Sequence, residues 1–379
     1  MKRNIWIGIG IVVVVALAIL LIVTQTKNEP KEIKIGVILP LTGEGAVYGE
    51  PQRRAAELAV EDINNKGGLL GKKVTLLAQD DKAQPADAVN IAHLFTSRND
   101  IIGVIGYPNS GNAIPASKIF HSRKMPYVAT SPTNPILTQQ GFENVFRFAP
   151  TDNMQGISGA EFIFNRLKDH SIVIIHDNAS YGKGIATQVK EHFESLGGNV
   201  LLSEALIPGE RDYRGVLLMA KSYKPEAIFY GGMMPEGSIL VRQAEELGLK
   251  IVFVFGDGCF DEHFKKLAGT NCRNVYISFL SPPWEAVPTA KEFVQKYKAR
   301  YGPIPPFAPY GYDAILVLAE GINRAKSLDH EKIIQALRDP GFVVQGVTGE
   351  IKFDQNGQTT GRRFYFYTFN EQGKLVLYE

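Results

Sequence analysis

The strongest constraint on this chain is an alternation that begins at Ile33 and persists along most of its length. Short apolar runs end at Gly, Pro, Asn or Asp, and each is followed by a longer segment of helical period. The runs Ile33 to Leu39, Val74 to Ala78, Ile101 to Ile105, Tyr127 to Ala129, Ile172 to Ile175, Ala227 to Tyr230 and Ile251 to Phe255 read as strands of parallel sheets covered on both faces. Helices are predicted over Gln52 to Asn64, Ala86 to Arg98, Gly182 to Leu196, Ile239 to Leu247, Thr289 to Tyr301 and Asp313 to Ala325, with glycine stops at Gly67-Gly68 and Gly197-Gly198. Repeated βαβ units define an α/β fold. Near the end, alternating segments Gly349 to Phe353 and Phe364 to Phe369 flank Asp354 to Gly357 and predict a hairpin-like close.

With 379 residues, the chain can build two cores. Its 41 basic and 39 acidic side chains are spread along the sequence, giving a formal charge of +2 and no electrostatic footprint for nucleic acid.

The N-terminus sets the compartment. Lys2 and Arg3 precede an apolar run from Ile5 to Val23 that is long enough to span a bilayer, and its exit, Leu21 to Thr26, lacks an A-x-A cleavage pattern. No cysteine follows to accept lipid. The expectation is an uncleaved signal anchor over residues 5–23, with a cleaved signal peptide as the alternative. In both cases the body is extracytoplasmic, and residues 1–30 contact the membrane and then tether the body. The two cysteines, Cys259 and Cys272, are close enough in sequence to close a disulfide in an exported chain, or they are two buried thiols. The seven histidines are scattered without ligand spacing, so no metal and no cofactor is expected.

Open α/β sheets bind ligands beyond the carboxyl ends of their strands. Those ends carry Pro40 to Tyr48, Asp80-Asp81, Gly106 to Asn112, Thr130 to Asn134, Asp177 to Tyr181, Gly231 to Glu236 and Gly256 to Gly258. Ser110 opens a helix, where a hydroxyl and free N–H groups suit a carboxylate or form an ordinary cap. Ser131 and Thr133 lie in a Ser-Pro-Thr turn, and Asp257 between two glycines meets an ammonium or makes an Asx-turn. Tyr48, Tyr181 and Phe307 are packing residues or ligand contacts.

Enzyme readings find little support. Gly43, Gly45 and Gly49 mimic a dinucleotide loop, but the third glycine falls late and the next acidic pair, Asp80-Asp81, is too distant. No G-x-S-x-G elbow occurs, and His176-Asp177 has no evident nucleophile.

From about Lys31 onward the chain resembles the periplasmic leucine/isoleucine/valine-binding proteins of branched-chain amino acid ABC transporters. The stretches that carry the likeness are IKIGVILPLTGEGAVYGE, AVEDINNKGGLLGKKV, the Asp80-Asp81 step, IGYPNSGNAIPAS, HDNASYGKGIA, FYGGMMPEGSILVRQAEELGL and FGDG, in family order. The resemblance implies a type I periplasmic binding fold: two Rossmann-like lobes with mostly parallel sheets, joined by a three-segment hinge. Crossings are expected near Ala149-Pro150, Ser278-Phe279 and Val344 to Thr348. The lobes would then comprise 31–149 with 279–345, and 150–278 with 346–379.

It further implies a non-enzymatic binder that closes on a small amino acid and serves ABC permease subunits. By the same resemblance Ser110 grips the ligand carboxylate, the Ser131 carbonyl meets the ammonium, and Thr133 touches both. Asp257 pairs with the ammonium, Tyr181 reaches in from the second lobe, and Tyr48 and Phe307 line the side-chain pocket. Met233 replaces an aromatic, Asp257 a longer glutamate, and the family's first-lobe disulfide is absent because its positions are Ala83 and Asn109. The alternative is a sensory or receptor ectodomain binding amides, urea or aromatic acids, for which a signalling domain would be required and none is expected.

Overall fold

The computed structural model describes residues 32–269 and 272–378. The expected anchor over residues 5–23 lies outside them, and among the described residues no helix is long and apolar enough to cross a membrane.

The first lobe alternates β1 (Glu32–Leu39), α1 (Ala46–Asn65), β2 (Lys73–Asp80), α2 (Pro85–Thr96), β3 (Ile101–Gly106), α3 (Ser110–Ser122), β4 (Tyr127–Ala129), α4 (Ile136–Gln139) and β5 (Val145–Arg147). Its strands form an all-parallel sheet in the order β2-β1-β3-β4-β5. Helices cover both faces, which is why β3 is buried along its whole length. Two glycines mark how closely they approach. A Cβ at Gly36 would lie 2.6 Å from the Phe95 ring of α2, and one at Gly103 would lie 2.9 Å from Leu318. Ile35 pairs with Gly103 and Gly36 with Val104, so these two gaps open on opposite faces of the sheet.

The second lobe continues with α5 (Asp152–Glu161), β6 (Ser171–His176), α6 (Ser180–Ser195), β7 (Asn199–Ala205), α7 (Arg214–Ser222), β8 (Ala227–Gly231), α8 (Met234–Glu246), β9 (Val252–Phe255), α9 (Phe264–Ala268) and β10 (Val275–Phe279). The chain then returns to the first sheet with α10 (Lys291–Tyr301), α11 (Ala308–Ala325) and α12 (His330–Leu337), where α11 packs on α1 and β3. Last come β11 (Val344–Gly346), β12 (Gly349–Ile351), β13 (Tyr365–Phe369) and β14 (Leu375–Leu377). The second sheet runs β14-β13-β10-β9-β8-β6-β7, parallel except for β13 and β14.

Three expectations need correction. First, the segments around Gly349 and Phe364 do not pair with each other. β12 pairs with β11 and β13 with β10 and β14, because β13 finds a longer apolar partner in the central sheet than in its sequence neighbour. Second, Phe353 packs on Phe146, and Gln358 bonds Arg147 at the end of β5. The third passage between the sheets therefore lies between Thr359 and Tyr365, beyond the expected Val344 to Thr348. Third, Cys259 and Cys272 are free, buried thiols. Cys259 follows the carboxyl end of β9, whereas Cys272 precedes the amino end of the parallel β10, whose Val275 pairs with Phe253. A strand's length separates them, further than the roughly 7 Å between Cα atoms that a disulfide can bridge.

Candidate functional site

All eight residues singled out at the strand ends line one cleft between the lobes. Tyr48 comes from the first turn of α1, Ser110 from the start of α3, and Ser131 and Thr133 from the loop after β4. Phe307 immediately precedes α11. Across from them, Tyr181 lies in the first turn of α6, Met233 just before α8, and Asp257 in the short turn after β9. Pro108, Asn109 and Gly258 complete the wall, which surrounds about 380 Å³ of space, part of it open to solvent. Tyr48 takes its place because α1 starts earlier than predicted and runs through Pro51, a residue that helix interiors ordinarily exclude.

The lobes touch directly. Tyr48 Oη donates to the Gly258 carbonyl at 2.7 Å, and Asn134 Nδ2 donates to the Ser180 carbonyl at 2.6 Å. On the first-lobe side, Ser110 Oγ accepts from the Asn134 amide at 3.2 Å, which leaves its own proton free to donate. The first N–H groups of α3 are orphan donors beside it. Ser131 Oγ accepts from Gln52 Nε2 at 3.2 Å.

On the second-lobe side, Tyr181 Oη donates to Asp257 Oδ1 at 2.8 Å and accepts from the Gly258 amide at 3.1 Å. Burial pushes the Asp257 carboxyl up to about 6, against the Tyr181 hydroxyl and the Gln155 amide, which favour its ionised form. Tyr48, edge-on to Phe307 with ring centres 5.7 Å apart, and the flexible Met233 add apolar surface to the same wall. The cleft thus has hydroxyl and amide donors at one end, a carboxylate at the other, and an apolar flank.

Sequence reasoning missed the layer behind this wall. Asp152 opens α5 in the first crossing, is fully buried, and neither of its carboxyl oxygens has a hydrogen-bond partner among the described residues. Burial pushes it up to about 8; the Asp257 charge adds to that, while the Thr133 hydroxyl and Arg147 work against it. Its amide donates to the Thr133 carbonyl at 2.8 Å. In sequence, Asp152 after Thr151 signals only a helix start, since Thr151 caps α5. Gln155, buried beside Asp257, donates to Ser278 at 2.8 Å and so ties the first crossing to the second. His176 and Asp177 each accept from a backbone amide two residues on, at 3.0 and 2.9 Å, as turn-forming groups.

Comparison with known proteins gives a consistent answer. Residues 32–374 match the profile of a family described as periplasmic binding protein. The Leu/Ile/Val-binding protein homolog 1 of Brucella abortus is 31% identical over 326 residues, 86% of this chain and 87% of that protein. A leucine-, isoleucine-, valine-, threonine- and alanine-binding protein of Pseudomonas aeruginosa is 32% identical over 89% of this chain and 90% of its own. Among solved structures, a leucine-binding protein of Thermotoga maritima superposes with a TM-score of 0.85 at 29% identity, covering 92% of this chain and 98% of that one. A branched-chain amino acid transporter substrate-binding protein of Streptococcus pneumoniae, in complex with isoleucine, gives 0.81 at 27%, covering 92% and 100%.

Proposed function

The chain belongs to the periplasmic binding protein family, and from that premise we propose that it is a non-enzymatic receptor for a small α-amino acid with an apolar side chain, which it delivers to an ABC importer. Membership of this family implies a position outside the cytoplasmic membrane. The observation that carries the reading is that the Ser110 hydroxyl at a helix start in one lobe and the buried Asp257 carboxylate in the other line one cleft. A zwitterion satisfies both ends at once. Its carboxylate takes the Ser110 proton and the α3 amides, and its ammonium takes Asp257 with the Ser131 carbonyl and Thr133. A neutral amide leaves Asp257 without a cation, and a simple acid leaves it facing nothing that can donate.

Tyr48, Met233 and Phe307 receive the side chain, while Tyr181 holds Asp257 in place from the same lobe. The relatives named for leucine, isoleucine and valine support an aliphatic side chain for this ligand. On this reading the chain's partners are permease subunits, its lobes divide near the three crossings, and residues 5–23 anchor it to the membrane.

The test is a melting-temperature screen of the protein against all amino acids, short amides, urea and aromatic acids, followed by calorimetric titration of the hits. A ligand that binds only the native state raises stability by mass action. Leucine, isoleucine or valine should shift the transition most. A shift with an amide or an aromatic acid and with no amino acid would overturn the assignment.

A further inference from the structure

Arg147 is the largest fully buried side chain among the described residues, at 0% exposure. Its guanidinium joins three pieces of chain. Nη1 donates to the carbonyls of Pro132 at 3.3 Å and Asn134 at 2.5 Å, Nη2 to Thr138 Oγ1 at 3.2 Å, and Nε to Gln358 Oε1 at 2.6 Å. The first two acceptors flank Thr133, so the fork grips the loop that presents Ser131 and Thr133 to the cleft. Gln358 belongs to the segment that leads into the third crossing, and its Nε2 donates in turn to the Ala149 carbonyl of the first crossing at 2.9 Å. Here every contact partner is neutral, while the buried carboxylate of Asp152, whose amide bonds the same Thr133 loop, has no charged group bonded to it among the described residues.

We propose that Arg147 is a positioning residue for the cation end of the cleft: it fixes the Ser131–Thr133 loop and supplies the counter-charge that lets Asp152 ionise when an ammonium binds. This rests on the amino-acid reading of the site. The charged and titratable groups around the pair are few. Arg147 faces Asp152, Tyr127 and Asp354; Asp152 faces Arg147, Asp257 and Tyr181, beside the Thr133 hydroxyl. Burial lowers Arg147 to about 10, so it stays cationic at neutral pH, and it pushes both tyrosines well above their ordinary value, so they stay neutral. Two buried carboxylates, Asp152 and Asp257, therefore share one buried cation until a ligand brings a second. Binding is then coupled to proton release from Asp152, and Arg147 sets the pH at which that release is complete.

The experiment titrates the full chain with leucine at pH 6 to 9. In the wild type, affinity rises with pH through a midpoint. Arg147→Gln should move that midpoint up by about one unit or more, the effect of removing a nearby opposite charge, so the loss is largest near pH 7 and shrinks by pH 9. Thr138→Val removes one bond from the same guanidinium but keeps the charge, and should leave the midpoint where it was. An Arg147→Gln curve displaced by the same factor at every pH overturns the proposal and leaves Arg147 a structural staple. Should Arg147→Gln not fold at pH 9, where the wild-type Asp152 is ionised, Arg147→Gln/Asp152→Asn must recover folding at that pH, since removing the carboxylate removes the need for its counter-charge. Failure of the double variant to fold at pH 9 overturns the proposal, as does a loss of Tm from Arg147→Gln at pH 9 that is equally large with and without Asp152→Asn. The Tm comparison needs no ligand, so absence of leucine binding by the wild type would sink the amino-acid reading while the coupling of Arg147 to Asp152 is still decided.

Discussion

Tyr48 in the first lobe donates its phenolic proton to the Gly258 carbonyl in the second at 2.7 Å, one residue from the Asp257 carboxylate. A pocket-lining side chain is thus also a bond between the lobes. Tyr48→Phe keeps the ring against Phe307 but removes this bond. A net hydrogen bond contributes about 0.5–1.5 kcal/mol, so affinity should fall by roughly two- to tenfold. Small-angle scattering of the ligand-free variant should show a larger radius of gyration than wild type. An unchanged affinity and radius would mean that the bond contributes nothing to closure.

Asp257→Asn should weaken amino-acid binding by roughly thirtyfold to several thousandfold, because losing one member of a buried charge pair costs about 2–5 kcal/mol. Asparagine can make the same turn, so fold stability should change little. Calorimetric titration with the best ligand decides it: a change below about threefold would remove Asp257 from the site.

The two buried carboxylates give stability a pH dependence of definite sign. Asp257 is pushed up to about 6 and Asp152 to about 8, both above the ordinary carboxylate value of 3.8 that they regain on unfolding. Between about pH 4 and 8 these two groups therefore hold more protons in the folded ligand-free chain than in the unfolded one, and their contribution to stability falls as pH rises. Asp177 and Asp313, also raised to about 6 by burial, act in the same direction, while His176 and His330, lowered by burial, oppose it in the lower half of the window, so the decline is clearest from pH 7 to 8. The Tm of the ligand-free protein should decline from pH 7 to 8, and Asp152→Asn should flatten that decline. A Tm that climbs from pH 7 to 8 in both proteins would contradict this.

α1 and α11 meet at a glycine. A Cβ at Gly311 would lie 2.0 Å from the backbone carbonyl oxygen of Gln52, which cannot swing aside as a side chain could. Gly311→Ala must push the two helices apart, at a cost of about 1–3 kcal/mol. A denaturant midpoint equal to that of wild type would show that the helices separate freely. Because Gln52 also holds the Ser131 hydroxyl, ligand affinity should fall in parallel.

Cys259 and Cys272 should both react when the unreduced, unfolded protein meets a thiol reagent, and reductant should leave Tm unchanged. In the folded state both should be protected, since burial raises the two thiols above their ordinary value and hides them from solvent.

Much of the fold was legible in the sequence because it depends on local signals, and nearly all of the pocket wall because strand-end position and the family resemblance point to largely the same residues. Strands such as Tyr127–Ala129 are continuous apolar runs with sharp polar ends, and the residues just past those ends are where a parallel sheet must present its ligand. β7 was missed because it is an edge strand with half its residues in water, and β5 because its three residues end in an arginine, which reads as surface. The hairpin near Asp354 was misread for a related reason: alternation identifies a strand but not its partner, and β13 takes its partner from β10, 85 or more positions earlier. The roles of Asp152 and Arg147 could be decided only by the tertiary structure. In sequence they are a helix-start aspartate and a strand-end arginine. Complete withdrawal from water, imposed by crossings drawn from three distant segments, is what shifts their protonation and makes each a determinant of the other's charge.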